Sequence, residues 1–216
     1  MERRLKAILF DLDNTLYDAR AGLQEAGDRR ITDWIMRTLA MPREQADAFR
    51  VRTWREYGTT AKGLEVEYGI DGRGLYEYAI SSLEPAEYLR PWPELAHMLA
   101  RLGTERHVFT NATAAYSRKV LDALGVSAFF DRIFDIEHNG WVCKPHRPIY
   151  DDIVAELGLP AHQIAFVEDN PSNLAPARDV GMLTVLLTQD GSGDAEWDVS
   201  IAGILDLPEA LGAAGA

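Results

Sequence analysis

One pattern limits the fold of this chain more than any other. From residue 93 onward, short apolar runs of strand length alternate with helical segments that mostly end on glycine. The spacing gives a helix over 94–102 before Gly103, a strand over 107–110 and a helix over 114–124 ending at Gly125. A strand over 133–136 and a helix over 148–157 before Gly158 come next, then a strand over 164–167, a helix over 171–180 and a strand over 183–187. Asn170 is placed to cap the helix over 171–180, with Pro171 at its first position and Gly181 past its end. Such alternation demands a parallel sheet joined by right-handed crossovers. An earlier strand over 7–10, AILF, stands apart from the rest.

The gap between that strand and the others is helical. Ile31, Trp34, Ile35 and Leu39 recur at helical spacing. Trp54, Leu64, Tyr68, Leu75 and Tyr78 continue the pattern and are expected in the core of the helical region. Pro85, Pro91 and Pro93 mark the return. The expected organisation is an α/β core built from residues 1–17 and 86–216, with an all-helical cap of residues 18–85 inserted after the first strand.

A chain of 216 residues, 47% of them apolar, can bury a sizeable core. No apolar run approaches the ~20 residues that cross a bilayer, so no membrane role is expected. The basic start MERRLKAILFD has too short an apolar part for a signal peptide, because Asp11 ends it. The single cysteine, Cys143, forms no internal disulfide and suits a reducing cytoplasm. With no partner base in sequence context, it reads as a packed thiol rather than a nucleophile. A formal net charge of −12 argues against a nucleic-acid polymer as partner. It leaves room for a small phosphorylated metabolite, whose local field a bound cation can dominate.

In an open parallel sheet, ligands sit beyond the carboxyl ends of the strands. Those ends carry Asp11-Leu12-Asp13-Asn14-Thr15, then Thr110-Asn111, then Lys144 in a later loop, then Glu168-Asp169. Each has an ordinary reading alone: a chance Asp-x-Asp-x-Thr, a helix cap, a surface lysine, a polar strand end. Their order at successive strand ends argues against coincidence. Clustered carboxylates repel one another unless a cation neutralises them. With only oxygen ligands on offer, the metal is a hard one, most naturally Mg²⁺, with Asp11, Asp13, Glu168 and Asp169 as the candidate ligands. A phosphate ester then fits: Asp11 attacks as a covalent nucleophile, Lys144 offsets charge, and Asp13 protonates the departing alkoxide and later deprotonates water. Thr110 and the backbone N–H of Asn111 are placed to hold the phosphate.

FDLDNTLY, VFTNAT, KPHRPIY and FVEDNPSNL resemble, in order, the four motifs of the haloacid dehalogenase superfamily. The resemblance implies a Rossmann-like core, a mobile cap, Mg²⁺ and an aspartyl-phosphate intermediate. It gives Asp11 as nucleophile and metal ligand, Asp13 as acid/base with its carbonyl on the metal, and Thr110 and Asn111 on the phosphate. It places Lys144 between nucleophile and phosphate, Asp169 directly on the metal, and Glu168 on it through water. Many members carry Asp where Glu168 stands. DNTLY, YGTTAKGL and VCKPHRPIY further resemble the pyrimidine 5′-nucleotidase branch, which implies a nucleoside monophosphate substrate.

Four other readings compete with a phosphatase. A dehalogenase needs neither a leaving-group acid nor Mg²⁺, so Asp13 argues against it. A phosphomutase shares the core motifs and differs in the cap. A receiver-type phosphoacceptor is shorter and capless, and a scaffold on a dead core conflicts with the complete residue set. Phosphoglycolate and sugar phosphates stand as alternative substrates. In the cap, residues 57–64 read as a loop between helices, with Thr60 and Lys62 offered to the leaving group. His146 reads equally as a residue of the site entrance or a structural one.

Overall fold

The computed structural model describes residues 5–188 and 196–215. The basic start at residues 1–4 lies outside them. Among the described residues, strands β1 (Ala7–Phe10), β2 (Glu105–Phe109), β3 (Arg132–Phe134), β4 (Ile164–Glu168), β5 (Leu183–Leu187) and β6 (Val199–Ile201) form one sheet. Its order is β3-β2-β1-β4-β5-β6, and every pairing is parallel. This is the Rossmann strand order, in which the chain reverses direction across the sheet next to β1. β1 and β4 are buried along their whole length, as central strands covered on both faces must be.

Helices cover both faces. After β1 the chain enters α1 (Leu23–Leu39), α2 (Arg43–Tyr57), α3 (Thr60–Tyr68) and the short α4 (Arg73–Leu75), which runs into a π-helical turn at Tyr76–Ser81. It then returns through α5 (Pro93–Arg101), α6 (Ala114–Leu124), α7 (Arg147–Leu157), α8 (Pro171–Val180) and α9 (Leu207–Ala213). Two apolar clusters flank the sheet. A third fills the helical insertion, around Ile35, Phe49, Leu64 and Ala79. That third cluster also takes in Ile136 and Cys143, and Trp141 packs against it. The loop before α7 thus packs against the inserted helices.

Three of the four glycine stops act as left-handed caps; at the fourth, α5 ends at Arg101 on an extended Leu102, and Gly103 takes no left-handed conformation. Gly125, Gly158 and Gly181 each take the left-handed conformation past a helix end. The Asn170 side chain accepts from Ser172 N at 3.1 Å at the start of α8. Other expectations need correction. The strand expected over 133–136 stops at Phe134, because the Asp135 carboxylate turns to accept from Ala114 N (2.6 Å) and His138 N (2.9 Å). The strand expected over 107–110 begins at Glu105 and ends before Thr110. Trp54 and Tyr68 are not core; both are exposed. The carboxyl-terminal β6 and α9 were not read from the sequence, and a three-residue edge strand gives almost no periodicity to read.

The expected loop over 57–64 is mostly helix. Gly58, at φ 85°, ends α2, and the Thr59 hydroxyl caps α3 by accepting from Lys62 N at 3.1 Å. Gly63 marks close packing rather than a turn: a Cβ there would lie 2.4 Å from the buried Thr53 Cβ. Gly63→Ala gains about 1 kcal/mol of helix propensity but overpacks the α2–α3 contact at a cost of about 1–3 kcal/mol. The substitution should therefore lower the urea midpoint; an unchanged or raised midpoint would show that α2 and α3 are not locked at this point.

Candidate active site

The site lies beyond the carboxyl ends of β1, β2 and β4, where the strand order reverses. At its centre is Lys144, whose side chain is 1% exposed. Its Nζ donates to Asp11 Oδ1 (2.7 Å), Glu168 Oε2 (2.7 Å) and the Phe109 carbonyl (2.9 Å), so all three protons are used. The ammonium also sits 5.1 and 5.2 Å from the ring centroids of Phe109 and Phe166. Burial alone would lower the Lys144 pKa; the charges of Asp11 and Glu168 reverse this and hold it above the usual lysine range.

Asn111 fixes the main chain that delivers this lysine. Its Nδ2 donates to Lys144 O (3.1 Å), and Lys144 N donates to Asn111 Oδ1 (2.7 Å). The amide side chain is therefore occupied. Its backbone N–H has no intramolecular acceptor among the described residues. The Thr110 hydroxyl accepts from Ala112 N at 3.0 Å, which leaves its own proton to give. Glu168 is equally engaged, accepting from Asn173 Nδ2 (3.0 Å) and Asn170 N (3.1 Å) besides Lys144.

Asp11, Glu168 and Asp169 each bring one oxygen within 4.8 Å of the others. With Asp13, four carboxylates meet one ammonium. Burial first, then the charge of Glu168, raises Asp11 to about 7 against the opposing pull of Lys144. Burial, then the charges of Glu168 and Asp11, raises Asp169 to about 9. This excess of buried negative charge and the all-oxygen donor set fit a hard divalent cation.

All the core residues singled out in the sequence line one cavity of about 640 Å³: Asp11, Asp13, Thr110, Asn111, Lys144, Glu168 and Asp169. Thr60 lines it too, though its hydroxyl reaches Arg50 O at 3.3 Å. Lys62 does not line it. Helix α3 carries that ammonium to Glu65, 2.9 Å away, so the expected contact from residues 57–64 shifts to their neighbours. His146 is not among the lining residues either. Cys143 is a packed thiol, buried and donating to Tyr57 O at 3.3 Å. The sequence reading missed Asn173, which braces Glu168; its position in the first turn of α8 was the available signal. It also missed Trp54 and Arg55 in the cavity wall and the two tyrosines on Asp13.

The model of the haloacid dehalogenase-like hydrolase family matches residues 5–181. Phosphate metabolism protein 8 of Saccharomyces cerevisiae is 27% identical over 206 residues, 88% of this chain and 64% of that protein. Glyceraldehyde 3-phosphate phosphatase of Methanocaldococcus jannaschii is 26% identical, with 90% of each chain covered. A HAD phosphatase from Thermococcus onnurineus superposes with a TM-score of 0.66 at 20% identity, over 96% of this chain and 98% of its own. An L-2-haloacid dehalogenase shares the fold as well, so fold alone does not choose the reaction. The chain belongs to the haloacid dehalogenase-like hydrolase family. Family and relatives together make it a phosphoric monoester hydrolase, in keeping with the second aspartate, Asp13.

The raised carboxyls set a pH dependence. The folded state holds protons on Asp11 and Asp169 more tightly than the unfolded chain, whose Asp titrates near 4. Without a cation, stability therefore falls as pH rises from about 4 toward 9. A bound divalent cation must displace those protons, so it binds better at higher pH. The gain in Tm on adding a divalent salt should be larger at pH 8.5 than at pH 6. A gain that is absent, or largest in acid, would contradict a cation on these carboxylates.

Proposed function

We propose that the protein hydrolyses nucleoside monophosphates, pyrimidine ones foremost, through an aspartyl-phosphate on Asp11. The observation that carries the substrate reading is the cavity. Its volume lies within the range of small-molecule sites. Its cap-side wall is mixed: Leu23, Ile31, Val51, Leu75 and Ile80 line it beside Asp28, Arg50 and Arg55, and Trp54 stands in it 46% exposed. Arg55, beside it, makes no ion pair among the described residues. A flat, partly apolar leaving group such as a nucleobase suits such a wall, by stacking on an indole.

In this reading the chain's own residues divide the work. Lys144 holds Asp11 Oδ1 and offsets its charge. The Thr110 hydroxyl and the Asn111 N–H take phosphoryl oxygens. Asp11 attacks phosphorus while Asp13 gives its proton to the departing oxygen, and Asp13 later takes a proton from the attacking water. Asp11, Asp169 and the Asp13 carbonyl would hold Mg²⁺, with Glu168 behind them. When bound, Mg²⁺ offsets the charge of the phosphate and the carboxylates.

A second reading, a short phosphorylated acid or aldehyde, is favoured by the relatives that act on such compounds: phosphoglycolate phosphatases and glyceraldehyde 3-phosphate phosphatases. A panel of kcat/KM values separates the two. Uridine and cytidine monophosphates should exceed phosphoglycolate, glyceraldehyde 3-phosphate and ribose 5-phosphate by about tenfold, roughly 1.4 kcal/mol, and chelator should abolish all turnover. Trp54→Ala should cost the nucleotides about tenfold, within the ~1–3 kcal/mol of base stacking, and leave phosphoglycolate unaffected. A win for phosphoglycolate or a sugar phosphate, or an equal loss on every ester, would refute the nucleotide reading.

A further inference from the structure

Asp13 is gripped by two phenols that come from distant parts of the chain. Tyr17 OH donates to Asp13 Oδ1 at 2.5 Å, and Tyr116 OH donates to the same oxygen at 3.0 Å. Tyr17 lies in the connection after β1, and Tyr116 in the first turn of α6. Both rings are buried. A phenol titrates at about pH 10, so at neutral pH both carry the proton they donate. Asp13 Oδ2, by contrast, makes no hydrogen bond among the described residues, and the residue lines the same cavity as Asp11.

A carboxyl oxygen offers two lone-pair directions. Two donors on Oδ1 fill both, so a proton cannot settle there without expelling a phenol. Rotation about the terminal torsion of an aspartate is otherwise broad and two-fold. One donor would leave the two oxygens free to exchange; two donors from separate elements define which one faces the cavity.

We propose that Tyr17 and Tyr116 are positioning residues that confine the proton transfers of Asp13 to Oδ2. This rests on the acid/base role of Asp13 in the reaction proposed above. In the first half, a bond forms from Asp11 to phosphorus as the bond from phosphorus to the leaving oxygen breaks. The proton on Asp13 Oδ2 passes to that oxygen. In the second half, a water oxygen bonds to phosphorus as the Asp11–phosphorus bond breaks, and one water proton returns to Oδ2. Atoms and charge balance over the cycle, and Oδ1 takes no part in either transfer. Tyr17 does not line the cavity, so it acts only through Asp13.

The test compares two esters. An alkyl phosphate needs its leaving oxygen protonated, whereas 4-nitrophenyl phosphate does not. Because kcat/KM reports the first phosphoryl transfer, it isolates the acid step. Tyr17→Phe and Tyr116→Phe each remove one oxygen and keep the ring, and the double variant removes the whole grip. Each single variant should lose about tenfold in kcat/KM on the alkyl ester, and the double variant about a hundredfold, the low end of what a general acid contributes. All three should stay within about twofold of wild type on the aryl ester, with KM for the alkyl ester unchanged. Asp13→Asn serves as the reference and should show the same leaving-group dependence in stronger form. Tyrosine variants that lose equally on both esters, or on neither, while Asp13→Asn stays selective, would overturn the positioning role and leave the acid intact. A non-selective Asp13→Asn would overturn the acid role and this inference with it. A wild type that hydrolyses neither ester would instead refute the phosphatase reading itself.

Discussion

A buried ammonium organises this protein. Taking a lysine out of water costs several kcal/mol, and only close opposite charge with full hydrogen bonding offsets that. Lys144 meets both conditions between Asp11 and Glu168, with the Phe109 carbonyl as third acceptor. The three partners come from the ends of β1, β4 and β2. The strand register that brings Phe10 opposite both Val108 and Val167 therefore also sets the geometry around the lysine. Loss of Lys144 would leave the Asp11 and Glu168 carboxylates buried without a cation, so the electrostatics of the site and the pairing of the central strands support each other.

The same constraint leaves the site short of positive charge. One ammonium faces four carboxylates, and the surplus appears as the raised Asp11 and Asp169. Glu168 is already committed to Lys144, Asn173 and the Asn170 backbone. Asp169 is thereby left as the carboxylate with the most freedom to meet a cation beside Asp11. The sheet edge supplies the four carboxylates and Lys144, and the inserted helices supply a mixed wall of apolar side chains with Asp28, Arg50 and Arg55. The two are joined by more than the chain crossings. Tyr76 OH donates to Asn111 O at 3.0 Å, and Trp141, on the loop that leads to Lys144, packs its ring against Tyr76.

The residues that sit just past strand ends were legible because alternation fixes where a strand stops and a parallel sheet gathers those ends. Asp11, Thr110 and Glu168 could be found this way, Lys144 from its loop before the next helix, and the glycines after helices located the boundaries between them. Residues whose role depends on side-chain direction were not legible. Trp54 has the spacing of a core residue but is exposed and lines the cavity. Gly63 looked like a turn because nothing in the sequence reports that Thr53 presses against it. Lys62 looked available, and a neighbour three residues on, Glu65, takes it. Tyr116 is far from Asp13 in sequence and meets it only through the β1–β2 pairing that places α6 beside the first strand's end.

The central claim is that Asp11, held by Lys144, receives the phosphoryl group. Rapid acid quench of enzyme turning over a phosphate ester, followed by peptide mass spectrometry, tests it directly. The account predicts a phosphorylated peptide with the phosphoryl group on Asp11, formed and lost at rates that match turnover, and absent in Asp11→Asn, which should also be inactive. A phosphoryl group trapped on another residue, or turnover by Asp11→Asn within about tenfold of wild type, roughly 1.4 kcal/mol of barrier, would contradict it.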